Sequence, residues 1–406
     1  MTERQGGFVA DIEALRAIAI TFTLIQHFSW ALAWTSPSLG FLLSNLQFWT
    51  GVDLFFCISG FVIARSLFRS IEYGKRNGIS YWKTIRAFWI RRAFRLLPTA
   101  WLWLTIIIVL SIVWNSGGSF KSVAGNIIDA CAAILHVENI HKWHCSHSVP
   151  DICGVADVYW SLSLEEQFYL FLPLAIAIFG IRGIIPLFAI AAIAQIATPR
   201  PAGFELWNVT KSDAIMLGVL LAYCSAQRWY RHLQKPLKVL APVAVPPLIL
   251  LLAWLPIQPL YHRVGMISLV SACLVAVASI DANIITRIAR PVLLYVGSRS
   301  YSWYLAHVPI FLFIRESTLR LLPRDAMNDQ LLPLIIATSL GLLVIASELI
   351  YRHIEQPLRL YGARIAAQIS RPKSVEDPVL PQEDSPVPRD IDVDPASATA
   401  GHLKPS

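Results

Sequence analysis

The sequence predicts an all-α, polytopic membrane protein with about ten transmembrane helices and both termini cytoplasmic. Three observations carry that prediction. Of 406 residues, 55% are hydrophobic and only 15% charged, whereas a soluble domain carries nearer 25% charged residues. Apolar windows long enough to cross a hydrocarbon core about 30 Å thick recur along the chain. Lys and Arg collect in alternate connections, the pattern that sets orientation in a bilayer.

The windows fall at 14–34, 50–68, 96–114, 160–180, 183–198, 213–226, 239–255, 264–282, 294–314 and 331–350. Glu13 and Arg16 interrupt the first apolar segment and no convincing small-residue cleavage site follows it, so it reads as a retained span. The connection 35–49 carries no charge, while Arg65, Arg69, Lys75, Arg76, Lys83, Arg86, Arg91, Arg92 and Arg95 stand between the second and third windows. The first loop is therefore expected outside and the second inside. Arg228, Arg231, Lys235 and Lys238, then Arg287 and Arg290, then Arg352 and Arg359 continue that alternation on the inside. An eleventh apolar stretch, 122–137, is interrupted by Asn126, Asp129 and His136. Counting it as a span would put every later basic cluster outside, so a surface or re-entrant helix is expected there, within an outside segment 115–158.

Two parts follow from composition: a transmembrane domain at 1–371 and a disordered cytoplasmic tail at 372–406, rich in Pro, Ser and Asp. The net charge is +8, and because the tail is acidic the part before it carries +12. In a membrane protein that excess points to orientation and anionic lipid headgroups as partners, not to nucleic acid. The six cysteines show no CxxC pair and no metal-ligand spacing, so no metal is expected. Cys57, Cys224 and Cys273 lie in apolar runs and read as packing residues. Cys145 and Cys153 share a polar loop placed outside, where an oxidising compartment permits a disulfide.

The most informative spacing is the eleven-residue step from Arg16 to His27. At 100° and 1.5 Å per residue the two side chains share one helix face, about 16 Å apart. Ionisable groups at such depth survive mainly where they face a bundle interior or cavity and handle ions, protons or substrates. A core histidine bonded to a neighbouring helix would give the same pattern. On the cytoplasmic side, Arg91, Arg92 and Arg95 are spaced to form one basic helix face. Guanidinium groups grip phosphates bidentately, so this face could hold a phosphorylated donor, although topology-setting charge explains the same residues. In the outer half, His27 lies about 10 Å deep and Glu165 about 8 Å deep by helix rise. A histidine and a carboxylate at matching depth read as a base and its orienting acid. Asp53 and Asp213 could bind an acceptor or cap their helices. His307 is the other mid-membrane imidazole, and Trp160, Glu166, Tyr169 and Tyr301 lie in the polar stretches beside these groups.

At these residues the chain resembles the acyltransferase 3 family of bacterial membrane O-acyltransferases, over nearly all of residues 8–360. The resemblance rests on DIEALRAIAITFTLIQH from Asp11 to His27, GVDLFFCISG from Gly51 to Gly60, and RRAFRLLP from Arg91 to Pro98. It continues in WSLSLEEQFYL from Trp160, GSRSYSWYLAHVP from Gly297, and Ile354, Glu355, Gln356 and Pro357. It implies a multi-pass protein of the bacterial cytoplasmic (inner) membrane that moves an acyl group, commonly acetyl from cytoplasmic acetyl-CoA, to a sugar hydroxyl of an envelope or secreted glycan or glycolipid. The acyl-CoA is then a donor substrate and no cofactor is held permanently. Arg16, Arg91, Arg92 and Arg95 would bind the donor. His27 would be base or transient acyl carrier with Glu165 orienting it, and Asp53, Trp160, Glu166, Tyr169, Asp213, Tyr301 and His307 would contact the acceptor.

Two departures stand out. Lys211 occupies the place, two residues before Asp213, where many relatives carry Arg, and lysine lacks the planar fork. Some relatives append an extracytoplasmic SGNH hydrolase-like domain, which here would have to come from a separate partner if transfer needs it. A transporter or flippase of a glycan or lipid precursor fits the helices and intramembrane polar groups equally well, but no inverted repeat is visible and the clustered arginines are left unexplained. An inactive scaffold would leave His27 and Glu165 without purpose.

Overall fold

The computed structural model describes residues 9–32, 37–147, 152–200, 203, 205–284, 288–322 and 329–371. The expected tail, 372–406, lies outside the described residues. Among them the chain is helical, without strands, as fifteen helices: α1 Ala10–Leu32, α2 Pro37–Asn45, α3 Gly51–Arg76, α4 Tyr81–Val113, α5 Val123–Ile134, α6 Glu138–His147, α7 Tyr159–Ala197, α8 Leu206–Val209, α9 Asp213–Ser225, α10 Tyr230–Trp254, α11 Arg263–Ala278, α12 Arg290–Ser298, α13 Ser300–Leu321, α14 Leu332–Ile350 and α15 Gln356–Ile369.

Among the described residues, five helical stretches are long and apolar enough to cross a membrane: Gly51–Arg76, Tyr81–Val113, Tyr159–Ala197, Tyr230–Ile257 and Leu332–Ile369. Six of the expected windows fall in these five, because 160–180 and 183–198 both lie in α7. That helix has 39 residues, about 58 Å and too long for one crossing. It breaks at Gly180, whose φ of 70° and ψ of 166° suit a residue without Cβ. The other four windows overlap α1, α9, α11 and the pair α12 and α13. However, α1 opens with Asp11, Glu13 and Arg16, α9 and α11 are short, and the window at 294–314 is divided between α12 and α13. The expected surface or re-entrant helix at 122–137 is α5, started by the Ser122 side chain accepting from Gly125 N–H.

Two apolar cores meet on α1. Ile12, Leu15, Ala19 and Phe22 join the first, with α3, α7, α9 and α11. Ile20 and Leu24 join the second, with α4, α13 and α14. Arg16, Ile20, Leu24 and His27 thus form a stripe at i, i+4, i+8 and i+11, the face the helix period demands. α3 and α9 pack backbone to backbone: a Cβ on Gly60 would come within 2.1 Å of the Ile215 carbonyl oxygen, and one on Gly218 within 2.2 Å of that of Cys57. Small residues permit such close approach where lipid supplies no hydrophobic drive between helices. Large apolar side chains such as Ile112, Ile178, Ile190, Val239 and Val243 are exposed on the outer surface, as a lipid-facing belt requires. Cys273 is exposed among them, so it is not the packing residue expected; Cys57 is buried and Cys224 half-buried.

Cys145 and Cys153 form a disulfide with a Cα–Cα separation of 5.9 Å, tying α6 to the segment that leads into α7. Closing so short a loop stabilises by about 2 to 3 kcal/mol. Cys145→Ser should lower the stability of the detergent-solubilised protein by that amount, read from thermal unfolding, and reductant should lower the wild type equally. Unchanged unfolding in both would mean that the bridge constrains nothing.

Candidate active site

Three cavities line up along α1. The first, about 370 Å³, is walled by Val9, by Ile12 and Glu13 of α1, by Arg65, Ser66 and Arg69 of α3, and by Arg92 of α4. Arg92 and Val62 also line the second, narrower cavity, together with Arg16, Ser59, Arg95, Glu165, Tyr169, Tyr301 and Tyr304. The third, about 250 Å³, holds His27, Gln26, Trp49, Trp160 and Lys211. From Glu13 to His27 the helix rises about 21 Å.

The second cavity gathers cations around one carboxylate. Arg16 Nη1 donates to Glu13 Oε1 at 2.7 Å. Arg92 lies over the Phe88 and Tyr169 rings, at 5.7 and 5.9 Å, an arrangement that holds a guanidinium without neutralising it. Among the described residues Arg95 Nε is buried with no hydrogen-bond partner, a donor left in reserve where such groups are normally satisfied. Glu165 accepts from Ser59 Oγ at 2.9 Å and from the Tyr169 hydroxyl at 2.7 Å. Tyr301 donates to the Leu96 carbonyl at 2.7 Å and so pins α13 to α4. Glu355, in a π turn at Tyr351–Glu355, accepts from Ser302 Oγ at 2.6 Å and acts electrostatically on Arg95.

The imidazoles stand beyond a wall of rings. Phe55 packs on Tyr304 at 6.1 Å, Tyr304 on His307 at 5.6 Å, and His307 on His27 at 5.0 Å between centroids. The Tyr304 hydroxyl donates to the Val158 carbonyl at 3.0 Å and meets Ser161 Oγ at 2.6 Å. His27 Nδ1 lies 2.9 Å from the Thr23 carbonyl oxygen. Only an N–H can bond a carbonyl, so the neutral ring carries its lone pair on Nε2. His307 repeats the device, with Nδ1 at 2.5 Å from the Tyr304 carbonyl oxygen, and its Nε2 is buried without a partner among the described residues.

Several expected positions are corrected. Glu165 does not hold the His27 ring: its carboxylate is bonded to Ser59 and Tyr169, and a backbone carbonyl orients the imidazole instead. Arg91 leaves the other arginines and lines a separate space with Arg69, Thr84 and Ser370, because adjacent helix residues point 100° apart. Glu166 turns away from Glu165 for the same reason and pairs with His136, whose pKa is raised by that carboxylate. Asp53 and Asp213 neither cap nor stand open: Asp53 pairs with Lys211 at 2.7 Å, and Asp213 with Arg200 at 2.5 Å and with Ser268 Oγ at 3.0 Å. Lys211 therefore serves Asp53 and leaves Asp213 to Arg200. Its ammonium lies between Trp49 and Trp160, at 5.2 and 6.0 Å from the rings. Trp160, Tyr169, Tyr301 and His307 do face the cavities or the imidazoles.

Breaking a buried pair by removing one partner costs about 3 to 5 kcal/mol, because the other charge is stranded. Lys211→Met should therefore destabilise the solubilised protein by that amount, and Asp53→Asn with Lys211→Met should recover most of it, measured by thermal unfolding. No recovery would show that Asp53 and Lys211 act independently.

An acyltransferase-domain profile matches residues 9–352. The chain belongs to the acyltransferase 3 family. It is 28% identical over 404 residues to a provisional O-acetyltransferase of Staphylococcus aureus (strain COL), covering 88% of this chain and 58% of the relative. It is 26% identical over 397 residues to the O-acetyltransferase OatA of S. aureus (strain MRSA252), covering 90% and 60%. To the peptidoglycan O-acetyltransferase OatA of Listeria monocytogenes serovar 1/2a (strain ATCC BAA-679 / EGD-e) it is 26% identical over 389 residues, covering 87% and 56%. The chain thus spans under two thirds of the length of these relatives. No solved structure matches it. Ser59, Phe55, Tyr304, Trp49 and the Thr23 carbonyl enter the site without having been singled out in the sequence. Ser59 was the findable one, as a polar residue inside the apolar run of α3.

Proposed function

We propose that the chain is a membrane O-acyltransferase that moves acetyl from cytoplasmic acetyl-CoA to a sugar hydroxyl of an envelope or secreted glycan. The observation that carries this reading is the order of the cavities along α1. A mouth rich in arginine leads to Arg16, Arg92 and Arg95, and a cavity with two tryptophans holds His27 about 16 Å further along the helix. The arginines suit the donor's phosphates, and its flexible thioester arm suits the narrow cavity. Trp49 and Trp160 line this cavity with apolar surface that suits a sugar ring, and Lys211 between them keeps an N–H for a hydroxyl besides its bond to Asp53.

In this mechanism His27 Nε2 takes the proton of the acceptor hydroxyl as the oxygen attacks the thioester carbonyl. The carbon–sulfur bond breaks, the new ester carries the acyl group, and CoA leaves as a thiolate that takes up the proton held by His27, which restores the neutral base. Tyr304 and Phe55 must shift, or open a gap, for the thioester to meet the acceptor. His307, 5.0 Å from His27, supports a ring stack that keeps the base in place. The asymmetry of Lys and Arg along the sequence supports a cytoplasmic arginine-rich mouth with residues 115–158 outside. Labelling single cysteines with an impermeant reagent in intact cells tests that orientation: sites at 115–122 should label and sites at 72–78 should not. Membranes given acetyl-labelled acetyl-CoA should pass label into glycan. Label that stays on the donor, with glycan or lipid instead crossing the bilayer, would favour a transporter.

A further inference from the structure

The end of the bundle that carries α5 and α6 holds a second cluster of ligating groups, apart from the cavities. A carboxylate oxygen of Asp129 on α5, one of Glu138 and a ring nitrogen of His141 on α6 lie within 4.8 Å of one another. Glu138 and His141 are spaced i and i+3, so both project from one face of α6. The neighbouring charges are accounted for. Asp129 accepts from Gly154 N–H at 2.9 Å, from Ala156 N–H at 3.0 Å and from His141 Nε2 at 3.1 Å, and Asp157 pairs with Lys142. Glu138 is the exception. It is 1% exposed, and its Oε2 is buried without a hydrogen-bond partner among the described residues. A buried carboxylate oxygen left without a donor beside other carboxylates is an expensive arrangement for a fold to hold.

We infer that Asp129, Glu138 and His141 form a binding site for one divalent transition-metal cation, with zinc the best chemical match. Two carboxylates and one imidazole are a ligand set that zinc accepts in a four-coordinate shell completed by water. Calcium requires six to eight oxygens and magnesium an octahedral oxygen set, so an imidazole in a shell of three protein groups disfavours both. Gly154 and Ala156 N–H fix the Asp129 carboxylate as outer-shell partners do in metal sites. The site is also stapled: His141 Nε2 lies 3.5 Å from Cys145 Sγ of the disulfide, and Gly154 follows Cys153. The cation would hold α6 to α5 and to the strand of chain leading into α7. Lys142, next to His141, and its partner Asp157 act electrostatically on His27. The metal would therefore set the roof above the imidazoles without touching substrate.

The test uses the full chain in detergent, stripped with a chelator and re-equilibrated with zinc alone, with bound metal measured by mass spectrometry. The wild type should hold one zinc per chain and unfold at a higher temperature with zinc than without. Glu138→Gln and His141→Gln should each weaken zinc binding at least about tenfold, the loss expected when metal-site ligation is perturbed. His144 and His147 are exposed on the same helix, so His144→Ala with His147→Ala is the control and should bind as the wild type does. Absence of bound zinc in the wild type would overturn the site, as would loss only in the His144/His147 control. If the Gln variants do not fold, zinc-edge X-ray absorption on the wild type decides: a nitrogen and oxygen shell with one imidazole supports the site, and a shell with sulfur or several imidazoles overturns it.

Discussion

His27→Gln is expected to reduce acyl transfer by about 10²- to 10⁴-fold, the range that general base catalysis contributes, while membrane abundance stays near that of the wild type. Glutamine keeps a hydrogen-bonding group at the Thr23 carbonyl, so the contact at 2.9 Å can be rebuilt by its amide N–H. It cannot take a proton near neutral pH, so it separates a structural role from a chemical one. A merely structural histidine would tolerate the change, because interhelical hydrogen bonds average only about 0.6 kcal/mol. The measurement is label transfer from acetyl-CoA to glycan in membranes normalised for protein level. Transfer by the Gln variant at normal abundance would move the chemistry to His307, whose Nε2 is the other candidate lone pair in the ring stack.

Much of the stripe that carries this prediction was legible in the sequence, because it depends only on the period of one helix. Arg16 and His27 share a face at eleven residues whatever packs around them, and the structure lines cavities with both. The α7 break could be anticipated from two windows, the first of which ends at Gly180. What the sequence did not carry is the partner of each polar group, which depends on which helices meet. Asp53 and Lys211 are 158 residues apart, and Ser59 and Glu165 are 106 apart. Matching depth suggested that Glu165 faces His27. Depth fixes height along the bilayer normal but not direction around it, and the Phe55–Tyr304 ring pair lies on the second cavity's boundary toward the imidazoles. The same limit split Arg91 from Arg92: spacing puts three arginines on one broad face, and in the fold Arg92 meets the Phe88 and Tyr169 rings while Arg91 lines another space.

The arginines then give the second large effect. Arg92→Ala and Arg95→Ala should each raise the apparent KM for acetyl-CoA by about 10- to 100-fold, since a charge-assisted hydrogen bond contributes about 1.5 to 3 kcal/mol and each 1.4 kcal/mol is tenfold. The turnover at saturating donor should change less, because a group that grips phosphate far from the reacting carbonyl binds ground state and transition state alike. Arg95 should matter at least as much as Arg92: its buried Nε has no partner among the described residues, whereas Arg92 already rests on two aromatic rings. Lysine at either position should restore part of the donor affinity, because it keeps the charge and loses the fork. Arg91→Ala supplies the contrast. Its side chain lines the space with Arg69 and Ser370, so it should leave the donor KM within about twofold of the wild type, the spread of a surface change within ±0.5 kcal/mol. Equal losses at all three positions, accompanied by falling protein level and an unchanged donor KM, would reduce the cluster to the charge that orients the chain in its bilayer.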